Sequence, residues 1–162
     1  MTHEDIIAPA CKWLVKEGGC VTAFRVTPGN EEKEQAPYLI GIGSFGRSIT
    51  LKPYLSRPDF LEDKQTQFHD IPGMDLGQYR FLYAPAGVIL EEEVPANWGL
   101  LQVNESKDIT SVSNPYLPAG GSFWRPGFED AKIYNLLGEN EKLYAACRRF
   151  KYNSVLRVEM AF

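Results

Sequence analysis

The chain has 162 residues and a formal net charge of −4, with 17 lysines and arginines against 21 aspartates and glutamates. This length suits one domain with a single hydrophobic core. The acidic balance disfavours a protein that binds nucleic acid over much of its surface, because phosphate binding relies on a basic excess. A local basic strip remains compatible with it.

The numbers and spacing of the cysteines and histidines indicate the redox compartment and whether a structural zinc site can form. The three cysteines are Cys11, Cys20 and Cys147, and the two histidines are His3 and His69. They are too few and too scattered for a disulfide framework or a structural zinc site, so we expect a reducing cytoplasm. The first residues lack a signal-peptide pattern, and no apolar run approaches the roughly 20 residues that cross a bilayer. We therefore expect no membrane association.

The first quarter of the chain predicts a helix followed by strands. Apolar residues recur at three- and four-residue steps over residues 2–17, which predicts the helix. Thr2 and Asp5 predict a capping pair at its start, whereas Pro9 predicts either a bend or a later start. Three β-favouring runs then predict strands, at 20–26, 37–42 and 48–54.

In the third predicted strand, at 48–54, the side chains alternate between two faces of the sheet. Alternation predicts one face with Ile49, Leu51 and Pro53, and the other with Thr50, Lys52 and Tyr54. Proline cannot donate a hydrogen bond to a neighbouring strand, so we expect the strand to weaken or bulge at Pro53.

The next segments alternate between helix and strand. Ser56 or Arg57 caps a helix that we expect to reach residue 68. Further strands are predicted at 79–84, 98–103 and 109–113, the last of them at an edge of the sheet.

The end of the chain has a different composition. A loop at 114–128 is rich in proline, glycine and aromatic residues. Two helical pieces, separated by Gly138, and a terminal strand follow it, at 129–137, 139–150 and 152–160. We therefore predict one α/β domain over 1–162, with a mixed central β-sheet flanked by helices in a core at 1–113. A C-terminal loop and helical extension occupy 114–162.

One stretch resembles a known family. Residues 37–64 read PYLIGIGSFGRSITLKPYLSRPDFLEDK. They resemble the MmcB-like branch of the PD-(D/E)xK nuclease superfamily, in which a P-D-x-I-G strand, a G-R-S-I strand carrying E-x-K, and a helix beginning S-R-x-D-F follow one another. Further matching positions are Gly73, Met74, Gly77, Tyr79, Arg80, Pro85, Trp98, Gly99, Leu100 and Leu101. The resemblance covers roughly residues 1–105 and implies a restriction-endonuclease-like core.

The motif residues that this resemblance implies are replaced in the chain. Tyr38 stands in place of the metal-binding aspartate, Lys52 in place of the glutamate, and Tyr54 in place of the lysine. The chemistry of the family is hydrolysis assisted by Mg²⁺, which two carboxylates hold. A phenol stays protonated at neutral pH, and an ammonium group repels a cation. The resemblance therefore implies an inactive nuclease fold that needs no cofactor.

The acidic residues around the motif leave an alternative open. Catalytic acids can migrate in this superfamily, and the candidates here are Glu4, Asp59 and Asp63. Asp59 and Asp63 are four residues apart and share a helix face. In the alternative, the protein is an active Mg²⁺-dependent DNA nuclease. Otherwise these side chains cap helices or pair with basic neighbours.

Basic residues supply the candidate binding surface, namely Arg47, Lys52, Arg57, Lys64, Arg148 and Arg149. They suit a phosphate backbone or an acidic protein surface equally well. The resemblance implies a binding or regulatory module for nucleic acid or for a DNA-processing or defence protein. It also implies a phage-derived protein in the cytoplasm of a bacterial or infected host cell. A homo-oligomer formed through the aromatic loop 114–128 is a third hypothesis.

Overall fold

The structure, a computed structural model, describes residues 1–26, 38–43, 47–66, 77–116 and 136–153. Its centre is a sheet of six strands that lie side by side in chain order. The strands are β1 (Thr22–Val26), β2 (Tyr38–Ile42), β3 (Ser48–Pro53), β4 (Tyr79–Pro85), β5 (Gly99–Val103) and β6 (Ile109–Ser113). The helices are α1 (His3–Lys16), α2 (Arg57–Thr66) and α3 (Leu136–Asn153).

The sheet is mixed. β1, β2 and β3 form an antiparallel meander, β3, β4 and β5 run parallel, and β6 returns antiparallel to β5. Parallel neighbours need a crossover connection, and α2 lies in the connection between β3 and β4. The prediction of an α/β domain with a mixed sheet flanked by helices is confirmed. None of the described helices is long and apolar enough to span a bilayer.

The two faces of the sheet bury separate cores. The α1 face carries the larger one, made of Ile6, Ala10, Leu14, Leu39, Ile49, Leu51, Tyr79, Phe81, Tyr83, Leu101 and Val103 with their neighbours. The α2 face carries Tyr54, Phe60, Leu82, Ala84, Ile89 and Leu100. The predicted alternation in β3 is therefore confirmed, since Ile49 and Leu51 lie on one side and Tyr54 on the other.

Helix α1 begins at a capping box. The Asp5 N–H donates to Thr2 Oγ1 at 3.3 Å, and the Thr2 N–H donates to Asp5 Oδ2 at 2.7 Å. The predicted capping pair is confirmed, and the later start considered for this helix is wrong. Pro9 lies inside α1. The Tyr83 hydroxyl donates to the Ile6 carbonyl at 3.1 Å, which ties α1 to the centre of the sheet.

Of the two outcomes expected at Pro53, the bulge is absent from the β3–β4 ladder, because Pro53 pairs in register with Tyr83. The strand ends at Pro53, one residue before its predicted end. A second prediction on the backbone is wrong. Gly138 does not separate two helices, because α3 passes through it from Leu136. Residues 152 and 153 belong to this helix, whereas the rest of the predicted terminal strand and residues 117–135 lie outside the described residues.

The close packing of strands around Gly99 can be tested by adding a Cβ atom there. A Cβ atom there would lie 2.4 Å from Phe81 Cδ1 and 2.9 Å from the Ser113 carbonyl oxygen. We expect Gly99→Ala to lower the free energy of unfolding by about 1 to 3 kcal/mol in chemical denaturation, because the ring and the neighbouring strand must move. The double variant with Phe81→Leu should lose less than the sum of the single losses. Additive losses would contradict the steric explanation.

Candidate functional site

The three replaced motif positions lie together on the α2 face. Leu39 pairs with Leu51 across the antiparallel β2–β3 ladder. One further step along that register places Tyr38 opposite Lys52. Tyr54 directly follows the end of β3 and is buried in the core of the α2 face. The side chains that the sequence singled out therefore share one side of the sheet.

Asp63 of α2 completes a compact group with two of them. Its Oδ2 atom lies 3.2 Å from Lys52 Nζ and accepts a hydrogen bond of 3.0 Å from the Tyr54 hydroxyl. The Lys52 ammonium also lies 5.8 Å from the centroid of the Tyr54 ring. We call Lys52, Tyr54 and Asp63 the Lys52 cluster. It joins the end of β3 to the second turn of α2 through one carboxylate oxygen.

Burial and charge set the protonation of this cluster. Burial raises the pKa of the Tyr54 phenol far above its usual value of 10.0, and the charge and hydrogen bond of Asp63 raise it further. Burial also raises the pKa of Tyr38. Both phenols therefore stay neutral at physiological pH. The Lys52 and Asp63 side chains are 18% and 25% exposed, so solvent screens their ion pair only partly.

The other candidate acids have separate partners. Asp59 is bound to Ser56 at the start of α2: its N–H donates to Ser56 Oγ at 3.4 Å, and its Oδ2 accepts from the same hydroxyl at 2.5 Å. Glu4 lies on α1 and forms an ion pair of 2.5 Å with Arg25 of β1. This pair is on the α1 face, on the other side of the sheet from Lys52. Of the three acids, the structure brings Asp63 into contact with the replaced motif positions.

The cluster is poor in metal ligands. Its oxygen donors are one carboxylate and one phenol, and the carboxylate is already bound by an ammonium group. Magnesium requires an octahedron of oxygen ligands that usually includes one or two carboxylates. Over the described ranges, no three histidine, cysteine, aspartate or glutamate side chains group closely enough to hold a metal ion.

Arg57, one of the predicted binding residues, is engaged in a bidentate ion pair. Its guanidinium donates to both carboxylate oxygens of Glu93, at 2.9 and 2.7 Å, and to the Val88 carbonyl at 3.3 Å. The Arg57 hydrogen bond lowers the pKa of Glu93. This pair holds the start of α2 against the short 3-10 turn Glu91–Glu93. The run of three glutamates carries no sequence signal that would single out Glu93.

The remaining basic candidates are spread over three elements. Lys64 is exposed on α2, with its ammonium 5.8 Å from the centroid of the Phe60 ring, and Arg47 is half-buried just before β3. Arg148 and Arg149 are exposed on α3, where Arg149 donates to the Arg25 carbonyl at 3.4 Å. A binding role for these side chains stays a prediction.

Glu139 of α3 is a buried carboxylate that sequence reasoning missed. Its Oε1 accepts from Ser48 Oγ at 2.7 Å and from the Gly77 N–H at 2.5 Å, so it docks α3 at the starts of β3 and β4. Burial raises its pKa, against the opposite effect of the two hydrogen bonds. The residues around it in sequence resemble an ordinary solvated helix start, so no pattern could have identified it.

Comparison with known proteins bears on the fold alone. No family model matches the chain, and no curated protein matches it. A solved structure of a protein of unknown function from Silicibacter pomeroyi is similar to this chain, with a TM-score of 0.55 and 17% sequence identity. The match covers 93% of this chain and 90% of that one. This fold therefore recurs in a protein of low sequence identity.

The Lys52 cluster can be tested by removing its acceptor. We expect Asp63→Ala to lower the free energy of unfolding by about 2 kcal/mol, because it leaves a half-buried ammonium and a buried phenol without their shared acceptor. Chemical denaturation followed by circular dichroism measures this. Glu62→Ala, an exposed change on the same helix, is the control and should cost about 0.5 kcal/mol or less. Equal losses would show that the cluster adds nothing to stability.

The raised pKa of Glu139 predicts a pH dependence. In the folded chain this carboxyl binds its proton more tightly than in the unfolded chain, so its contribution is complete below its usual pKa of 4.5 and is lost as pH rises through the folded pKa. Glu139→Gln removes that loss. The free energy of unfolding of this variant, relative to wild type, should increase from pH 4 towards pH 7. Glu141→Gln, an exposed change on the same helix, is the control for the removal of one carboxylate. A constant difference for Glu139→Gln would contradict the assignment.

Proposed function

We propose that this chain is a catalytically inactive nuclease-fold protein, similar to the PD-(D/E)xK superfamily. It works as a binding or regulatory module for nucleic acid or for a protein that handles nucleic acid. The observation that carries the proposal is the contact of Lys52 with Asp63 on the α2 face. It puts a cation where metal-dependent hydrolysis needs a cluster of anions.

The order of elements supports the resemblance on which this proposal rests. Residues 38–41 of the P-x-x-I-G pattern lie on β2, Arg47 of the G-R-S-I pattern leads into β3 at Ser48, and the S-R-P-D-F residues begin α2. The family pattern has the same order of strand, strand and helix. The replaced positions also share one face, as a metal site built from them would require.

The charge of Lys52 disfavours a metal ion at this position. Replacing a glutamate by Lys52 changes the local charge by two units. Two unit charges 4 Å apart interact by about 1 kcal/mol in water and about 4 kcal/mol near a protein surface, and the repulsion doubles for a divalent ion. Asp63 offsets the charge of Lys52, but the Asp63 oxygen that would bind a metal ion is then occupied by the ion pair.

The rival function is an Mg²⁺-dependent nuclease that uses migrated acids. Asp63 is the acid nearest to the motif, but Lys52 and Tyr54 bind the oxygen that a metal would take. Asp59 accepts a hydrogen bond from Ser56, and Glu4 pairs with Arg25 on the other face. None of these three contacts favours the rival.

Nuclease activity is measured directly. Incubation of the chain with single- and double-stranded DNA and Mg²⁺ or Mn²⁺ should leave both substrates intact, because the Lys52 cluster offers no open carboxylate pair. A contaminating nuclease is controlled for by Asp63→Asn and Asp59→Ala preparations. Cleavage by the wild type that either variant abolishes would replace the proposal by the rival function.

A second experiment asks whether Lys52 keeps metal away. Lys52→Glu would place a second carboxylate beside Asp63. We expect this variant to be less stable than wild type without metal and to gain several degrees of melting temperature with millimolar Mn²⁺, since a ligand that binds the folded state stabilises it. Wild type and Lys52→Met should show no such gain. Equal metal responses in wild type and Lys52→Glu would contradict the electrostatic argument.

A further inference from the structure

A groove of about 490 Å³ lies on the α1 face, between α1 and the edge strand β6. One wall is the helix face that contains Pro9, Lys12, Trp13 and Lys16, which recur at three- and four-residue steps. The opposite wall is β6 and the turn before it, which contains Lys107. The groove is therefore separated from the Lys52 cluster by the thickness of the sheet.

The charge of the groove differs from that of the chain. Lys12, Lys16 and Lys107 line it together with the carboxylates of Glu17 and Asp108, so it has a positive excess on a chain of net charge −4. All three lysines are exposed. Within the described part of the chain, no ion pair joins any of their ammonium groups to a carboxylate. The Asp5 carboxylate on α1 attracts Lys107 electrostatically but forms no ion pair with it. An anionic ligand can therefore contact all three ammonium groups without displacing an ion pair among the described residues.

The position of Lys107 is fixed by its turn. Its backbone has a φ of 69°, and its N–H donates to the Asn104 carbonyl at 3.0 Å. The Asp108 N–H donates to Asn104 Oδ1 at 2.9 Å, and the Asn104 N–H donates to the Asp108 carbonyl at 3.0 Å. A left-handed residue other than glycine is uncommon, and it persists here because these bonds close the turn. The third lysine is thus held across the groove from the other two.

Trp13 gives the groove an aromatic wall. Its ring is half-buried and packs edge-on against Phe81, with centroids 5.7 Å apart and planes at 69°. That contact anchors the indole in the core of the α1 face. Indole rings beside lysines form the combination that binds single-stranded nucleic acid, in which bases stack and ammonium groups contact phosphates. An acidic peptide would use the lysines but has no base to stack.

We infer that this groove binds a short stretch of single-stranded nucleic acid, with a base against Trp13 and phosphates at Lys12, Lys16 and Lys107. Its volume lies within the range of sites for small ligands and suits one or two nucleotides, not a duplex. The inference rests on the nucleic-acid target in the proposed function. It assigns that target to the α1 face and away from the basic residues near the Lys52 cluster.

The test is fluorescence anisotropy with a labelled oligodeoxythymidylate of about 12 nucleotides, titrated with the full chain at about 50 mM salt and upwards. Lys12→Gln/Lys16→Gln should weaken binding about tenfold and reduce the slope of log affinity against log salt by about 1.4, which is 0.7 for each lost phosphate contact. Trp13→Leu should weaken binding at least fivefold with little change in slope, because it removes stacking and no charge. Circular dichroism checks that each variant is folded.

Lys64→Gln/Arg148→Gln tests the competing basic surface predicted from the sequence, since it removes two exposed cations of that surface that lie outside the groove. It should retain the affinity of wild type. If it weakens binding while the lysine variant of the groove binds normally, the groove assignment is wrong and the proposed function stands. If wild type binds no oligonucleotide, both the groove assignment and the nucleic-acid target are wrong. Binding of a polyglutamate peptide instead, dependent on Lys12 and Lys16, would also overturn the inference and assign an acidic protein partner.

Discussion

The ion pair between Lys52 and Asp63 determines what the α2 face can do. The Asp63 oxygen that contacts Lys52 also accepts a hydrogen bond from the Tyr54 hydroxyl. The Tyr54 ring packs edge-on against Phe60, with centroids 5.4 Å apart, so polar and apolar contacts tie α2 to β3 together. An acid in this position satisfies a cation and a buried phenol. It therefore stabilises the fold and has little capacity left to bind a metal ion.

Two other charged residues on the α2 face also bind partners from other elements. Arg57 is paired with Glu93, and Glu139 docks α3 through Ser48 and the Gly77 N–H. Each of these charged groups is thus matched with a partner from a neighbouring element. The groove on the α1 face has the opposite character, because its lysines extend from a helix and a turn without ion-pair partners among the described residues. In the function that we propose, the ligand accordingly binds at this groove and not at the Lys52 cluster.

Local patterns predicted much of this architecture. Alternation placed Lys52 and Tyr54 on one face of β3, and Thr2 with Asp5 marked the start of α1. Both follow from contacts within a few residues of each other. Patterns failed where distant contacts decide the outcome. Gly138 predicts a helix break, yet α3 continues through it. The next residue, Glu139, accepts hydrogen bonds from Ser48 and from the Gly77 N–H, which are 91 and 62 residues away in the sequence.

The choice between Asp59 and Asp63 shows the same limit. They lie on one helix face, and sequence spacing treats them alike. Only the packing of α2 against the sheet separates them, because it directs Asp63 towards Lys52 and leaves Asp59 with Ser56. The sequence alone determined the order of strands and helices and which residues of β3 share a face. Tertiary structure alone decided which charges neutralise one another and where lysines from α1 and from the turn before β6 line one groove. Those relations join residues far apart in the chain, and their energies depend on distance and burial that no local pattern contains.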